Sequence, residues 1–299
     1  MSRKLRVASL VATVALAGAA RAPAQSPSFP DVSIAGSKLE CRVVAVVAGL
    51  YEYRYTVLNP GTSSAGVASV AVDGSAPLTL RPPMLTTRGF FLGDGTIQAV
   101  DATSGHVPLG MDVPPDWGGT IAPTGFVEWY GRGEGLTVRR PVVPGVESSE
   151  FLLRSTYLPG IRGYRLLPEY PHLCCPFPAG DPRNDTVQVK SAFDFRSEGA
   201  SIGPTYEPTT VTIALVRGLR SQACELGWIT KAGVCHSLEV KLDDAAAAIA
   251  ENNVERARNR LRALLSELDA QRGAEPAKSI TENAYWLLKA NVEALLSRL

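Results

Sequence analysis

Residues 50–58 read Leu50-Tyr51-Glu52-Tyr53-Arg54-Tyr55-Thr56-Val57-Leu58, with Tyr51, Tyr53, Tyr55 and Val57 on one parity and Glu52, Arg54 and Thr56 on the other. Successive strand side chains point to opposite faces, so a period of two puts the aromatics on one sheet face and the polar groups on the other. Asn59-Pro60-Gly61 then turns the chain. Upstream, Val43 to Val47 is an uninterrupted apolar run suited to a central strand buried on both faces. Downstream, Val67 to Val72 reads as the next strand, ended by Asp73-Gly74. The alternation recurs through Val187, Val189, Phe193 and Phe195, and again through Val211, Ile213 and Leu215 against Thr210 and Thr212. Short alternating runs separated by turn residues predict an all-β, sandwich-like domain over residues 25–218.

Two Pro-rich stretches interrupt this pattern, Ala76 to Pro123 and Leu158 to Pro182. Proline removes a ladder donor, so long loops or edge strands are expected there. Loops on a rigid scaffold are where binding surfaces form.

After Gly218 the period changes to about 3.6. Leu238, Leu242, Ala245 and Ile249 form one apolar stripe, and Val254, Ala257, Leu261, Leu264 and Leu268 form a second, with Asn252-Asn253 breaking the chain between them. A third runs through Ile280, Ala284, Leu287, Asn291, Leu295 and Leu299, preceded by Ser279 with Glu282 three residues on, the capping-box spacing. Three one-faced helices on short connections predict an antiparallel three-helix bundle over residues 219–299, with Trp228 and Ile229 at one end.

The first 24 residues have the plan of a secretory signal. Arg3, Lys4 and Arg6 precede an uncharged run from Val7 to Ala20, and Ala22-Pro23-Ala24 fits the small-x-small cleavage rule. Cleavage near Ala24 gives a secreted, periplasmic or cell-surface product with no transmembrane anchor. It also removes four of the 30 basic residues and none of the 29 acids, leaving a small acidic excess. That balance gives no electrostatic reason to bind nucleic acid or anionic lipid.

The five cysteines, Cys41, Cys174, Cys175, Cys224 and Cys235, all lie beyond the signal, where disulfides are the default. Cys224 and Cys235 are the plausible local pair. Cys41 with Cys174 or Cys175 would tie the start of the β-domain to its later half, and one cysteine is left over. No second ligand pair at zinc-like spacing accompanies His172-Leu173-Cys174-Cys175, so no metal and no cofactor is expected. Asp181, Asn184 and Asp185 lack the spacing of an EF-hand and read as turn chemistry.

No nucleophile elbow, zinc-hydrolase helix or other catalytic motif is present. Gly61-Thr62-Ser63-Ser64-Ala65-Gly66 misses the elbow by one position, and His106, His172 and His236 are scattered. A glycosidase needs two carboxylates near in space rather than in sequence. Glu128, beside Trp129 and Tyr130, is the first candidate, with Asp112, Asp116 and Glu134 as partners. Trp117, between Pro115 and Gly118-Gly119, could stack a sugar ring together with Trp129, Tyr130, Tyr157 or Tyr164, or could anchor its own loop. Arg256, Arg258, Arg260 and Arg262, two apart and among Glu251, Glu255 and Glu267, read as a mixed-charge helix surface.

Gly227-Trp228-Ile229, Gly233-Val234, Ser237-Leu238, Lys241-Leu242 and Ala245 are followed by Asn259, Leu261, Ala263-Leu264, Leu268, Ala270-Gln271 and Gly273. This region resembles the FIMAH-type helical domain found at the C-terminus of bacterial secreted and cell-surface proteins. Cys224, Cys235 and the Ala274-Glu275-Pro276-Ala277 insert depart from its pattern. The resemblance implies an accessory module without catalytic residues. The leading expectation is a non-catalytic secreted or cell-surface protein binding a carbohydrate or other surface ligand. The alternatives are a secreted carbohydrate-active hydrolase and a structural envelope component.

Overall fold

A computed structural model describes residues 32–74, 111–121, 126–131, 140–169, 195–273 and 278–299 apart from position 48, plus the backbone of short strands between 88 and 138. The signal segment, Cys174, Cys175, His172, the Asp181–Asp185 turn and the alternation at 187–193 lie outside the described residues.

The Tyr-rich stretch is β2 (Leu50–Asn59), antiparallel to β1 (Lys38–Val47) with Cys41 opposite Tyr55. Tyr53, Tyr55 and Val57 are fully buried, as the period of two requires. β3 (Val67–Asp73) follows. A three-stranded ribbon comprises β4 (Arg88–Phe91), β5 (Ile97–Asp101) and β6 (Gly105–Val107). Next come β7 (Met111–Asp112), β8 (Trp117–Ile121), β9 (Phe126–Gly131), and the small hairpin of β10 (Gly133–Glu134) and β11 (Thr137–Val138). β12 (Val146–Glu147), β13 (Phe151–Ser155), β14 (Leu158–Pro168) and β15 (Ser197–Tyr206) complete the strands.

Two antiparallel sheets result. One runs β1-β2-β13-β7, with β12 also on β2, and the other β15-β14-β3-β9-β8. They pack face to face through Tyr55 on Trp129 at 5.3 Å, Trp129 on Phe151 at 5.8 Å and Trp117 edge-on to Phe151 at 4.8 Å. The sandwich-like architecture read from the sequence is therefore present.

Three local expectations are overturned. Leu158 to Pro168 is not loop but strand β14, because its prolines sit where they do no harm. The register shifts at Leu158/Pro159 against β15 and at Leu167/Pro168 against β3, and bulges leave a residue unpaired. Strand β1 is not central but an edge strand, its free side covered by a helix. Ile213 and Leu215 belong to a helix, not a strand.

That helix is α1 (Ile213–Glu225), started by Thr212, whose side chain accepts from the Leu215 amide, and buried at Val216, Leu219 and Ala223. It raises the helix count from the expected three to four and begins before residue 219. The others are α2 (Ala232–Ala250), α3 (Val254–Gln271) and α4 (Glu282–Leu296). Asn252 takes a positive φ of 54° after α2, and Asn253 caps α3 by accepting from Arg256. Leu238, Leu242 and Ala245, and Ala257, Leu261, Leu264 and Leu268, are buried as their spacing predicts. Thr281, not Ser279, caps α4, accepting from the Ala284 amide. Ser279 is instead buried, its hydroxyl donating to Gln271 and its carbonyl accepting the Thr230 amide.

The helices pack in a ring, α1 on α2 and α4, α3 on α2 and α4. Helix α4 also lies against β1, β14 and β15. Its Asn283 is buried, accepting the Cys41 amide at 2.8 Å and donating to the Leu39 carbonyl at 3.2 Å. Asn291, also buried, donates to Pro159 O at 2.9 Å. Two side-chain amides thus stand in for a neighbouring strand. Residues 31–299 form one compact unit.

Candidate functional site

The aromatic platform expected around Trp117 is not formed. Trp129 is fully buried between the sheets, and Trp117 opens β8 at 3% exposure with its indole donating to Arg140 O at 3.1 Å. Trp117 anchors its own loop. Tyr130 lies over Gly118, where any Cβ would stand 2.7 Å from its ring. Neither indole offers a face to a sugar.

The three carboxylates are tied to separate partners. Glu128 on β9 accepts from the Ser69 hydroxyl at 2.7 Å. Asp112 on β7, in the opposite sheet, pairs with Arg154 at 2.7 Å, and Asp116 pairs with Arg140 at 3.1 Å. None of them lines a described cavity with another. The side chain of Glu134 lies outside the described residues.

Cys224 and Cys235 form the expected disulfide, stapling α1 to α2. Cys41 is buried and has no disulfide partner among the described residues, which do not include Cys174 and Cys175. It points inward between the sheets, and burial pushes its ionisation well above the ordinary thiol range, so it is held as an inert neutral group. Among the described residues no group of three His, Cys, Asp or Glu could hold a metal ion.

The structure does bring charge together elsewhere, on the outer face of the first sheet. Even-numbered β1 residues Lys38, Glu40 and Arg42 share this face with Glu52 and Arg54 of β2. Glu52 is buried and takes Arg54 and Arg154, each at 2.8 Å. Glu150 takes Arg42 at 2.7 Å and Arg54 at 3.3 Å. Against this face stands the start of α4, where Glu282 holds Arg272 by two contacts of 2.6 and 2.7 Å and accepts from the Trp286 indole at 2.9 Å. The Arg272 guanidinium lies 4.3 Å from the centroid of Tyr285 and 5.0 Å from that of Trp286, a cation–π arrangement.

Between sheet and helix is a cleft of about 230 Å³ lined by Arg42, Arg54, Arg272, Glu40, Glu147, Glu150 and Glu282, with Thr56 at its floor. Glu40 and Glu147 make no ion pair among the described residues. Burial, with Glu282 and Glu147 nearby, raises the Glu40 carboxyl above its ordinary range, and Lys38 only partly offsets this. Burial opposes ionisation of Glu282 too, but Arg272 and the Trp286 indole outweigh it and hold that carboxyl below the usual range. The cleft therefore holds three guanidiniums engaged by carboxylates and two carboxylates that make no ion pair among the described residues.

The lining of this cleft was not singled out from sequence. The signal was present in the outward parity of β1 and β2, where Glu40, Arg42, Glu52 and Arg54 alternate with the core. Arg272 and Glu282 carried no such signal, since only the packing of α4 on β1 brings them there.

Residues 213–297 match the FIMAH domain. That range opens with α1 and closes just after α4. No curated protein matches the chain. The domain suggests a cell-surface or secreted protein, and the Cys224–Cys235 disulfide is compatible with an extracytoplasmic location. Among the described residues no helix is long and apolar enough to cross a membrane.

Proposed function

We propose that the protein is a non-catalytic, extracytoplasmic ligand-binding protein whose site is the charged cleft between the first sheet and α4, with a carbohydrate as the ligand class. The observation that carries this is a cavity walled jointly by the β-half and the FIMAH region and lined by two carboxylates, Glu40 and Glu147, that make no ion pair among the described residues. Paired guanidiniums fix the walls, while unpaired acceptors are left for hydroxyl or amino donors of a ligand. Such a site orients a ligand but contains no activated nucleophile. The hydrolase reading lacks support, because Glu128, Asp112 and Asp116 are each engaged apart from one another.

The test is a glycan-array screen, with a parallel hydrolysis screen, on the chain lacking residues 1–24. Binding without turnover is expected. Glu147→Gln, at an exposed strand position, is expected to weaken binding about tenfold, the loss of one charge-assisted hydrogen bond. Turnover, or binding indifferent to Glu147, would overturn the proposal.

A further inference from the structure

A second cavity, of about 280 Å³, adjoins the first along β1. Its lining includes Lys38, Leu39, Glu40, Tyr164, Trp228 and Thr281. Glu40 belongs to both cavities. So does the first turn of α4, which turns Glu282 to the charged cleft and Thr281 and Asn283 to this one. Lys38, Glu40 and Arg42 are alternate residues of one strand, so their side chains leave the same face at steps of about 7 Å. The two cavities are neighbours that share Glu40 and flank the first turn of α4.

The compartments differ in chemistry. The second presents the half-buried Trp228, and its indole N–H has no partner among the described residues and is not sealed from solvent. Leu226 beside it is 45% exposed. A half-buried indole that packs on the core yet lines the cavity, with an N–H unpartnered among the described residues, supplies what a pyranose ring needs, apolar surface to stack on and a group for one hydroxyl. The first compartment presents Glu40 and Glu147, neither in an ion pair among the described residues, with Lys38 only partly offsetting the charge of Glu40. Desolvating two unpaired carboxylates under a neutral ligand is costly, whereas a ligand ammonium satisfies them.

We infer that the two neighbouring cavities together bind a linear oligosaccharide of at least two rings, one stacked on Trp228 and the next placing a cationic amino group between Glu40 and Glu147. This rests on the ligand-binding reading of the charged cleft and assigns to it a ligand class and a second subsite. It also gives the FIMAH region a definite part, since Trp228 and Thr281 of one compartment and Arg272 and Glu282 of the other all belong to it.

The test uses the chain lacking residues 1–24 with a glucosamine tetramer, a glucosamine monomer, an N-acetylglucosamine tetramer and a tetralysine peptide, by calorimetry. The glucosamine tetramer is expected to bind at least tenfold tighter than the monomer or the N-acetylated tetramer. Trp228→Ala is expected to reduce the tetramer to the monomer's affinity, and Glu40→Gln to abolish the preference for the free amine. Because Trp228→Ala removes packing as well, the indole N–H resonance of Trp228, assigned with Trp228→Phe, provides an independent reading. It should shift on adding the tetramer and stay fixed with the monomer. Tetramer binding that is weakened by Glu147→Gln but leaves both Trp228 readings unchanged overturns the second subsite while the charged cleft stands. Equal binding of the acetylated tetramer overturns the amine, tighter binding of tetralysine overturns the sugar, and tetramer binding insensitive to Glu147 overturns both readings together.

Discussion

At the residue scale, Glu40 is the most informative side chain. It sits on an otherwise solvated strand face, yet the approach of α4 removes its water and sets Glu282 near it, so its carboxyl ionises less readily than a free one. A raised folded-state value means that Glu40 favours folding while protonated, fully so below the ordinary glutamate range of ~4.3, and that this contribution is lost as pH rises through the folded value. Glu40→Gln, which cannot ionise, is therefore expected to raise the melting temperature at pH 7 and to lose that advantage below about pH 4. Parallel thermal melts of both forms across this range check the sign. An advantage that grows with acidity would show that Lys38 dominates. Cys41 carries the opposite lesson. From the sequence it stood only as a disulfide candidate, because a cysteine beyond a secretory signal is expected to be paired. Burial opposite Tyr55 makes it a small apolar filler.

At the element scale, the alternation of β2, the stripes of α2 and α3 and the Asn252-Asn253 break were all legible, because each depends on neighbours within a few residues. What failed were elements whose form is decided elsewhere. β14 carries Pro159 and Gly160, inside a stretch that read as loop, and β15 carries Gly199, yet both glycines are required by packing. A Cβ on Gly160 would stand 2.5 Å from Thr205, and one on Gly199 would meet the Tyr164 hydroxyl at 2.7 Å. Val43 to Val47 read as a central strand, yet β1 lies at the sheet edge, where α4 closes its backbone at Leu39 and Cys41. This makes Asn283 a structural residue with a measurable role. Asn283→Ala removes the partners of two backbone groups, the Cys41 amide and the Leu39 carbonyl. Left buried and unpaired, these are expected to cost about 2–4 kcal/mol in denaturant unfolding, several times the loss for an exposed helix position such as Glu293→Ala. Equal losses would mean that water takes the place of the amide.

At the scale of the whole molecule, the sequence divided the chain at a change of period, all-β before and helical after. The change is real, but it does not separate two bodies. α4 belongs to both cores, with Ala284, Leu287, Leu288 and Leu295 buried in the same continuous apolar cluster as Tyr55 and Ile202. Periodicity reports which face of an element is buried and says nothing about what buries it, so this fusion, and with it the cleft, could not be read in advance. A single unfolding transition is expected. Near-ultraviolet signal from the sandwich tryptophans and far-ultraviolet helix signal should melt at the same temperature, and a variant ending before residue 213 should show neither a cooperative transition nor soluble β-structure. Two separated transitions in the full chain would restore the picture of independent domains.

The clamp on β1 also orders events in time. Cys41 and the Asn283 that satisfies it are 242 positions apart. A chain made from its N-terminus presents the first strand long before the helix that covers it exists. Until residues near 283 have been synthesised, the sandwich has an open edge and an unfinished core, so its native state is out of reach of the growing polypeptide. Folding is thereby deferred until nearly the whole length is available, the condition under which a chain can be threaded unfolded through a translocation pore.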